Sequence, residues 1–154
     1  MRIVSVELRN IKSYGDPACS IQFRPGVNLI WGENGSGKTT ILEAIGFALF
    51  GALELDLKQF RRKGENEGEV ILTLEGTDER CYLVIRKIRA SADLEIRDLE
   101  TNLKISKTRE DAQKWLSQAI GVEFAGFGRT LFENVLGVSQ GRMVESFLQT
   151  AGVR

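Results

Sequence analysis

Three closely spaced apolar-rich runs lie near the middle of the chain. These are Glu69-Val70-Ile71-Leu72-Thr73-Leu74-Glu75, Arg80-Cys81-Tyr82-Leu83-Val84-Ile85-Arg86 and Asp93-Leu94-Glu95-Ile96-Arg97. The last has the two-residue period of a strand with one buried face, and the first two are short apolar runs bounded by turn signals, which also read as strands. The connections, which contain Gly76-Thr77-Asp78 and Ala90-Ser91-Ala92, are too short for crossover units, so the runs predict an antiparallel meander. Strands are also predicted for Ile3-Val4-Ser5-Val6-Glu7-Leu8, for Cys19-Ser20-Ile21-Gln22-Phe23, and for Val27-Asn28-Leu29-Ile30-Trp31 after a Pro25-Gly26 turn. Residues 10–17 are turn-like.

A different period begins at residue 39. Residues 39–50 carry one charge, Glu43, with apolar side chains on nearly every face, which predicts a helix buried on most sides. Gly51 fits its C-terminal cap. Residues 108–120 have an acidic first turn and apolar residues at Ala112, Trp115, Leu116, Ala119 and Ile120, a helical spacing. Residues 124–136 read as helical in part, 135–138 as extended and 142–149 as helical. No internal repeat, low-complexity tract or linker interrupts the pattern. The expected fold is one α/β domain, an antiparallel meander added to a phosphate-loop core.

That core is marked by Gly32-Glu33-Asn34-Gly35-Ser36-Gly37-Lys38-Thr39, which matches G-x-x-x-x-G-K-[ST] between an apolar run and a predicted helix. Glycines let the backbone curl so that successive N–H groups face an anion. Lys38 supplies a point charge for outer phosphates, and the Thr39 hydroxyl is a hard ligand suited to Mg²⁺. The dipole of the following helix adds to both. Chance matches to the bare pattern occur, and the strand–loop–helix context is what points to a nucleotide site here.

Composition narrows the picture modestly. The chain has 154 residues, 42% hydrophobic and 27% charged, ordinary for a globular domain with its own core. Lys+Arg and Asp+Glu are both 21, so there is no overall basic signature for nucleic acid, though a local patch stays open. Cys19 and Cys81 have no C-x-x-C spacing and the chain has no histidine, which argues against a zinc site within it. Both thiols are expected to be small buried groups in a reducing compartment. The N-terminus lacks the apolar core of a signal peptide and no stretch is long enough to span a bilayer, so a cytoplasmic protein without membrane contact is expected. Residues 70–75 superficially resemble the acid-terminated strand that holds Mg²⁺ in phosphate-loop ATPases. The single acid and the Gly76-Thr77-Asp78 turn instead make it an ordinary meander strand.

The motifs together resemble a known family. Leu8-Arg9-Asn10-Ile11-Lys12-Ser13-Tyr14 resembles the turn that opens SMC-like ATPases, and Trp31-Gly32-Glu33-Asn34-Gly35-Ser36-Gly37-Lys38 resembles their phosphate loop. Phe132-Glu133-Asn134-Val135-Leu136-Gly137-Val138-Ser139-Gln140-Gly141 is similar to their Q-loop. Ala48-Leu49-Phe50-Gly51, Phe60-Arg61-Arg62-Lys63-Gly64 and Gln140-Gly141-Arg142-Met143-Val144-Glu145-Ser146-Phe147-Leu148 point to the SbcC/Rad-fifty double-strand-break repair branch. The resemblance covers essentially all of residues 1–154 but only the N-terminal lobe of an ABC-type P-loop NTPase head. In that family a coiled coil and a C-terminal lobe with the signature motif, the Mg²⁺-binding Asp and the catalytic Glu complete the head. The resemblance therefore implies the front lobe of a split ATPase, hydrolysing ATP poorly or not at all alone.

Carried over by position, the resemblance implies that the backbone of Asn34, Gly35, Ser36, Gly37, Lys38, Thr39 and Thr40 cradles ATP phosphates. It gives Lys38 the outer phosphates, Thr39 a Mg²⁺ bond, and Gln140 the Mg²⁺ shell or the attacking water. Lys12 and Ser13 fall where the family contacts nucleotide, although Arg often precedes that Ser and Lys cannot make its planar bidentate contact. Arg61, Arg62 and Lys63 either border the nucleotide or form a solvated basic loop. Tyr14 either stacks on adenine or packs at the strand end. Gln140 could also be an ordinary surface residue. Its long separation from Lys38, filled by the meander and the Trp115 helix, is SMC-like and unlike transporter ATPases.

The implied function is an ATP-driven clamp in DNA repair. ATP is sandwiched between two heads of a homodimer, and hydrolysis admits an SbcD/Mre-type nuclease to DNA ends. Zinc would belong only to the coiled-coil apex of a longer protein. The implied location is cytoplasmic, at the nucleoid in a prokaryote, or nuclear in a eukaryote. The alternative is an architectural SMC or RecF-like protein without a nuclease. A transporter ATPase and a small-molecule kinase fit less well.

Overall fold

The computed structural model describes residues 1–51 and 56–121. Its strands are β1 (Arg2–Arg9), β2 (Cys19–Gln22), β3 (Gly68–Glu75), β4 (Cys81–Ile88) and β5 (Ala92–Asp98). Its helices are α1 (Lys38–Phe50), α2 (Leu57–Phe60) and α3 (Arg109–Ile120). The strands form a single sheet in the order β2-β1-β3-β4-β5, antiparallel throughout. The expected meander is its β3-β4-β5 half, and β3 also pairs with β1, which gives residues 70–75 a central structural place.

The register explains the core. Val6, Leu72, Val84 and Ile96 are successive cross-strand partners, all with no exposed surface. Facing them are Ile41, Ala44, Phe47 and Ala48 of α1 and Ala112 and Leu116 of α3, all part of one apolar cluster. Each large side chain fully buried this way contributes roughly 1.5–3 kcal/mol. The opposite face carries a charged row, in which Arg9, Glu69, Lys87 and Asp93 are consecutive partners across four strands.

Helix boundaries follow their capping residues. Gly51 ends α1 at φ 65°, its N–H bonded to the Phe47 carbonyl. Thr108 and Asp111 form a reciprocal capping box at the start of α3. Arg86 of β4 is buried beneath the end of α1, where its Nε donates to the Ala48 carbonyl at 2.8 Å and its guanidinium lies 5.2 Å from the Phe47 ring centre. Burial, with some repulsion from Arg109, pushes its pKa down to about 10.

Two expectations need correction, and one helix goes beyond them. The run from Val27 to Trp31 is not a strand; among the described residues no neighbouring strand pairs with it, and a β conformation without a ladder has little to hold it. Val27, Leu29 and Trp31 face solvent, as does Asn28, while Ile30 packs on the core. Neither cysteine is fully buried: Cys19 is exposed and Cys81 half-buried, because one opens edge strand β2 and the other begins β4 on the outer face. The short α2 was not expected. Asp56 caps it, and its buried Phe60 meets Phe47 edge-on with ring centres 5.5 Å apart. The elements expected within residues 124–149 lie outside the described residues.

Candidate nucleotide-binding site

The site starts with an undecorated helix end. Gly37 occupies the N-cap of α1 at φ 95° with no side-chain capping bond, and the first turn holds no acidic residue. The opening N–H groups of a helix have no intrahelical acceptors, so those of α1 remain available to an anion. At Gly35 (φ 82°) and Gly37 the chain uses a conformation that L side chains rarely adopt. Lys38 Nζ donates to the carbonyls of Gly32 at 2.9 Å and Glu33 at 2.8 Å, which places its ammonium over the beginning of the loop.

An open depression of about 400 Å³ lies beside this helix end, lined by Ser13, Asn34, Gly35, Gly37, Lys38, Thr39 and Thr40. The lining holds hydroxyls, an amide, a cation and backbone, and no carboxylate. That chemistry suits an anion. It also suits Mg²⁺ in one particular way. Among the described residues no group of three or more His, Cys, Asp or Glu could hold a metal, whereas Mg²⁺ commonly takes one or two protein ligands and completes its shell with phosphate oxygens and water. Thr39 is exposed at the depression and offers such an oxygen.

Side chains named from the sequence are distributed unevenly. Ser13 lines the depression. Lys12 turns elsewhere: its Nζ lies 2.6 Å from Glu43 Oε2 of α1 and 5.7 Å from the Phe60 ring centre. Tyr14 is partly buried against the core, and its hydroxyl donates to the Gly37 carbonyl at 3.3 Å. Burial first, and Cys19 second, raise its pKa. Arg62 Nη1 donates to the carbonyls of Lys12 at 3.2 Å and Ser13 at 2.9 Å, while Arg61 Nη1 reaches the carbonyls of Asn66 and Arg89. The basic run thus braces the turn and the start of the sheet. Lys63 and Ser36 are exposed, and Gln140 lies outside the described residues.

Glu43 is the residue the motifs missed. Its signal was present, since it is the lone charge of residues 39–50, and a charge in an otherwise apolar helix calls for a partner.

The AAA domain family AAA_23 has a profile that matches residues 5–146. The chain is 30% identical over 149 residues to a DNA double-strand break repair Rad50 ATPase of Methanopyrus kandleri, covering 93% of this chain and 16% of that protein. It is 32% identical over 156 residues to Exonuclease subunit 2 of Enterobacteria phage T4, covering 94% of this chain and 28% of that one. It therefore spans less than a third of the length of these curated relatives. A chain solved in work on ATP-driven dimerization and DNA stimulated activation of SMC ATPases superimposes with a TM-score of 0.71 at 20% identity, over 100% of this chain and 93% of that one. This likeness shows a shared fold. With a match over residues 5–146, the chain belongs to the AAA domain family AAA_23, and among curated proteins it is similar to Rad50 ATPases.

Proposed function

We propose that residues 1–154 form the N-terminal lobe of an SMC-like ATPase head that binds ATP with Mg²⁺ and acts in DNA double-strand-break repair. The observation that carries this reading is the uncapped start of α1, with Lys38 poised over the loop and a carboxylate-free depression beside it. Phosphate oxygens replace the Gly32 and Glu33 carbonyls as acceptors for Lys38. The backbone N–H groups at the start of α1 supply fixed dipoles, and Ser13 and Asn34 border the phosphates. Thr39 and Gln140 would hold Mg²⁺, which supplies charge neutralisation for phosphoryl transfer to water.

The same arrangement explains why a second piece of polypeptide is needed. No carboxylate lines the depression, and Glu43 is paired with Lys12, so in this reading the general base comes from another piece of polypeptide. The solvent-facing side chains of Val27, Leu29 and Trp31 precede the loop directly and favour a neighbour that covers them. A C-terminal lobe fills that role in this reading, and a second head completes the site when ATP is bound. DNA and a nuclease partner of the SbcD/Mre type follow from the repair branch; the similarity to a phage exonuclease subunit supports the nuclease.

The test is ATP hydrolysis by the chain with the remainder of its polypeptide. Turnover that requires Mg²⁺ and is lost in Lys38→Ala supports the reading. Turnover unaffected by Lys38→Ala contradicts it.

A further inference from the structure

Lys12 carries a charge next to a residue of the phosphate depression, and its ammonium is already engaged by Glu43 and the Phe60 ring. Its backbone is held at φ 44°. Its N–H donates to the Phe60 carbonyl at 3.0 Å, and its carbonyl accepts from Arg62. Its ammonium pairs with Glu43 at 2.6 Å, both side chains being about one quarter exposed (24% and 26%). Reaching toward the depression would strip Glu43 of its partner on a helix whose neighbouring faces are apolar, an unfavourable exchange. Tyr14, one residue past Ser13, is tied to Gly37.

We propose that Lys12 and Glu43 are a positioning pair that holds Ser13 at the phosphate site, and that Lys12 does not itself contact nucleotide. This rests on the nucleotide reading above. The helix that presents its N-terminus to phosphate also carries Glu43, so the pair makes the turn and the phosphate loop move as one body. Ser13 then keeps its place on the depression without reordering when the anion enters. A Lys in this place, with its single compact charge, serves a one-point anchor where a planar guanidinium would serve a bidentate ligand.

The two roles for Lys12 predict opposite behaviour for Glu43→Gln. If Lys12 positions, removing the Glu43 charge loosens the turn and weakens binding. If Lys12 contacts phosphate, the same change frees its charge and tightens binding. Titration calorimetry with Mg–ATP on the full chain decides between them, at a temperature where circular dichroism shows each variant folded. Lys12→Met and Glu43→Gln should each weaken binding about three- to fivefold, the scale of a partly exposed ion pair. The exchanged pair Lys12→Glu/Glu43→Lys should return to within about twofold of the parent, a rescue expected only of a mutual interaction. Unchanged or tighter binding in Glu43→Gln, or an exchanged pair as weak as Lys12→Met, overturns the inference while leaving the nucleotide site intact. A folded parent chain that gives no heat with Mg–ATP overturns the site reading instead. Should Lys12→Met fail to fold, Glu43→Gln and the exchanged pair still decide the matter.

Discussion

Tyr14 rests against Gly37 so closely that a Cβ added to the glycine would lie 3.0 Å from the tyrosine Cε2, and its hydroxyl donates to the carbonyl of that same glycine. The turn after β1 is thereby fitted to the cap of α1. Gly37→Ala meets two penalties, the positive φ and the ring. We expect a loss of about 1–3 kcal/mol in unfolding free energy together with loss of measurable Mg–ATP binding. Tyr14→Phe removes only the hydroxyl bond, for about 0.5–1.5 kcal/mol, and should retain binding. Urea unfolding and nucleotide titration on both variants check this; equal losses in the two would contradict the fitted contact.

Arg86 ties the far end of α1 to the sheet through the Ala48 carbonyl and the Phe47 ring. Arg86→Ala leaves a buried carbonyl without that donor and a cavity beneath the helix. A destabilisation of about 2–4 kcal/mol is expected, read as a lower urea midpoint. A change smaller than about 0.5 kcal/mol, the range of ordinary surface substitutions, would show that α1 is held by other contacts.

Asp98 at the end of β5 accepts bonds from the Thr101 and Glu100 N–H groups and from the Thr101 hydroxyl. The Thr101 backbone bond is the largest reason its pKa falls below the ordinary 3.8. A depressed carboxylate pKa stabilises the fold above the unfolded-state value, and that contribution disappears as pH falls through the folded value. The melting-temperature gap between the parent and Asp98→Asn should therefore be constant from about pH 5 to 7 and narrow below about pH 4. A gap that stays constant into acid would contradict this origin.

The phosphate loop and the meander were legible because each depends on local signals. Glycines at fixed offsets and Lys38-Thr39 define the loop, and closely spaced turn residues define the hairpins. Gly51 and the acidic first turn after Thr108 marked helix ends for the same reason. What escaped depends on distant partners. β1 runs beside β3, a neighbour far along the chain, and the four-residue α2 is too short for a period to announce it. Val27, Leu29 and Trp31 carry a strand pattern without a strand partner among the described residues. Lys12 falls with Ser13 where the resemblance implies nucleotide contacts, and its pairing with Glu43, a partner 31 residues away, is a further contact of that kind.

The exposed stripe before the loop gives a further prediction. Trp31→Ser removes a side chain that is 86% exposed, so stability of the chain alone should change by less than about 0.5 kcal/mol. Recombination with a separately expressed C-terminal lobe should weaken at least tenfold, as expected for an aromatic anchor at an interface. Undiminished recombination would mean that the lobe covers another surface.

The most direct test of the ATP-dependent head is the mass of the two lobes together, measured by light scattering with and without Mg–ATP. A doubling of mass with nucleotide, absent in Lys38→Ala and absent for the N-terminal lobe alone, is the predicted result. No increase with ATP, or an increase that Lys38→Ala leaves unchanged, would contradict the account.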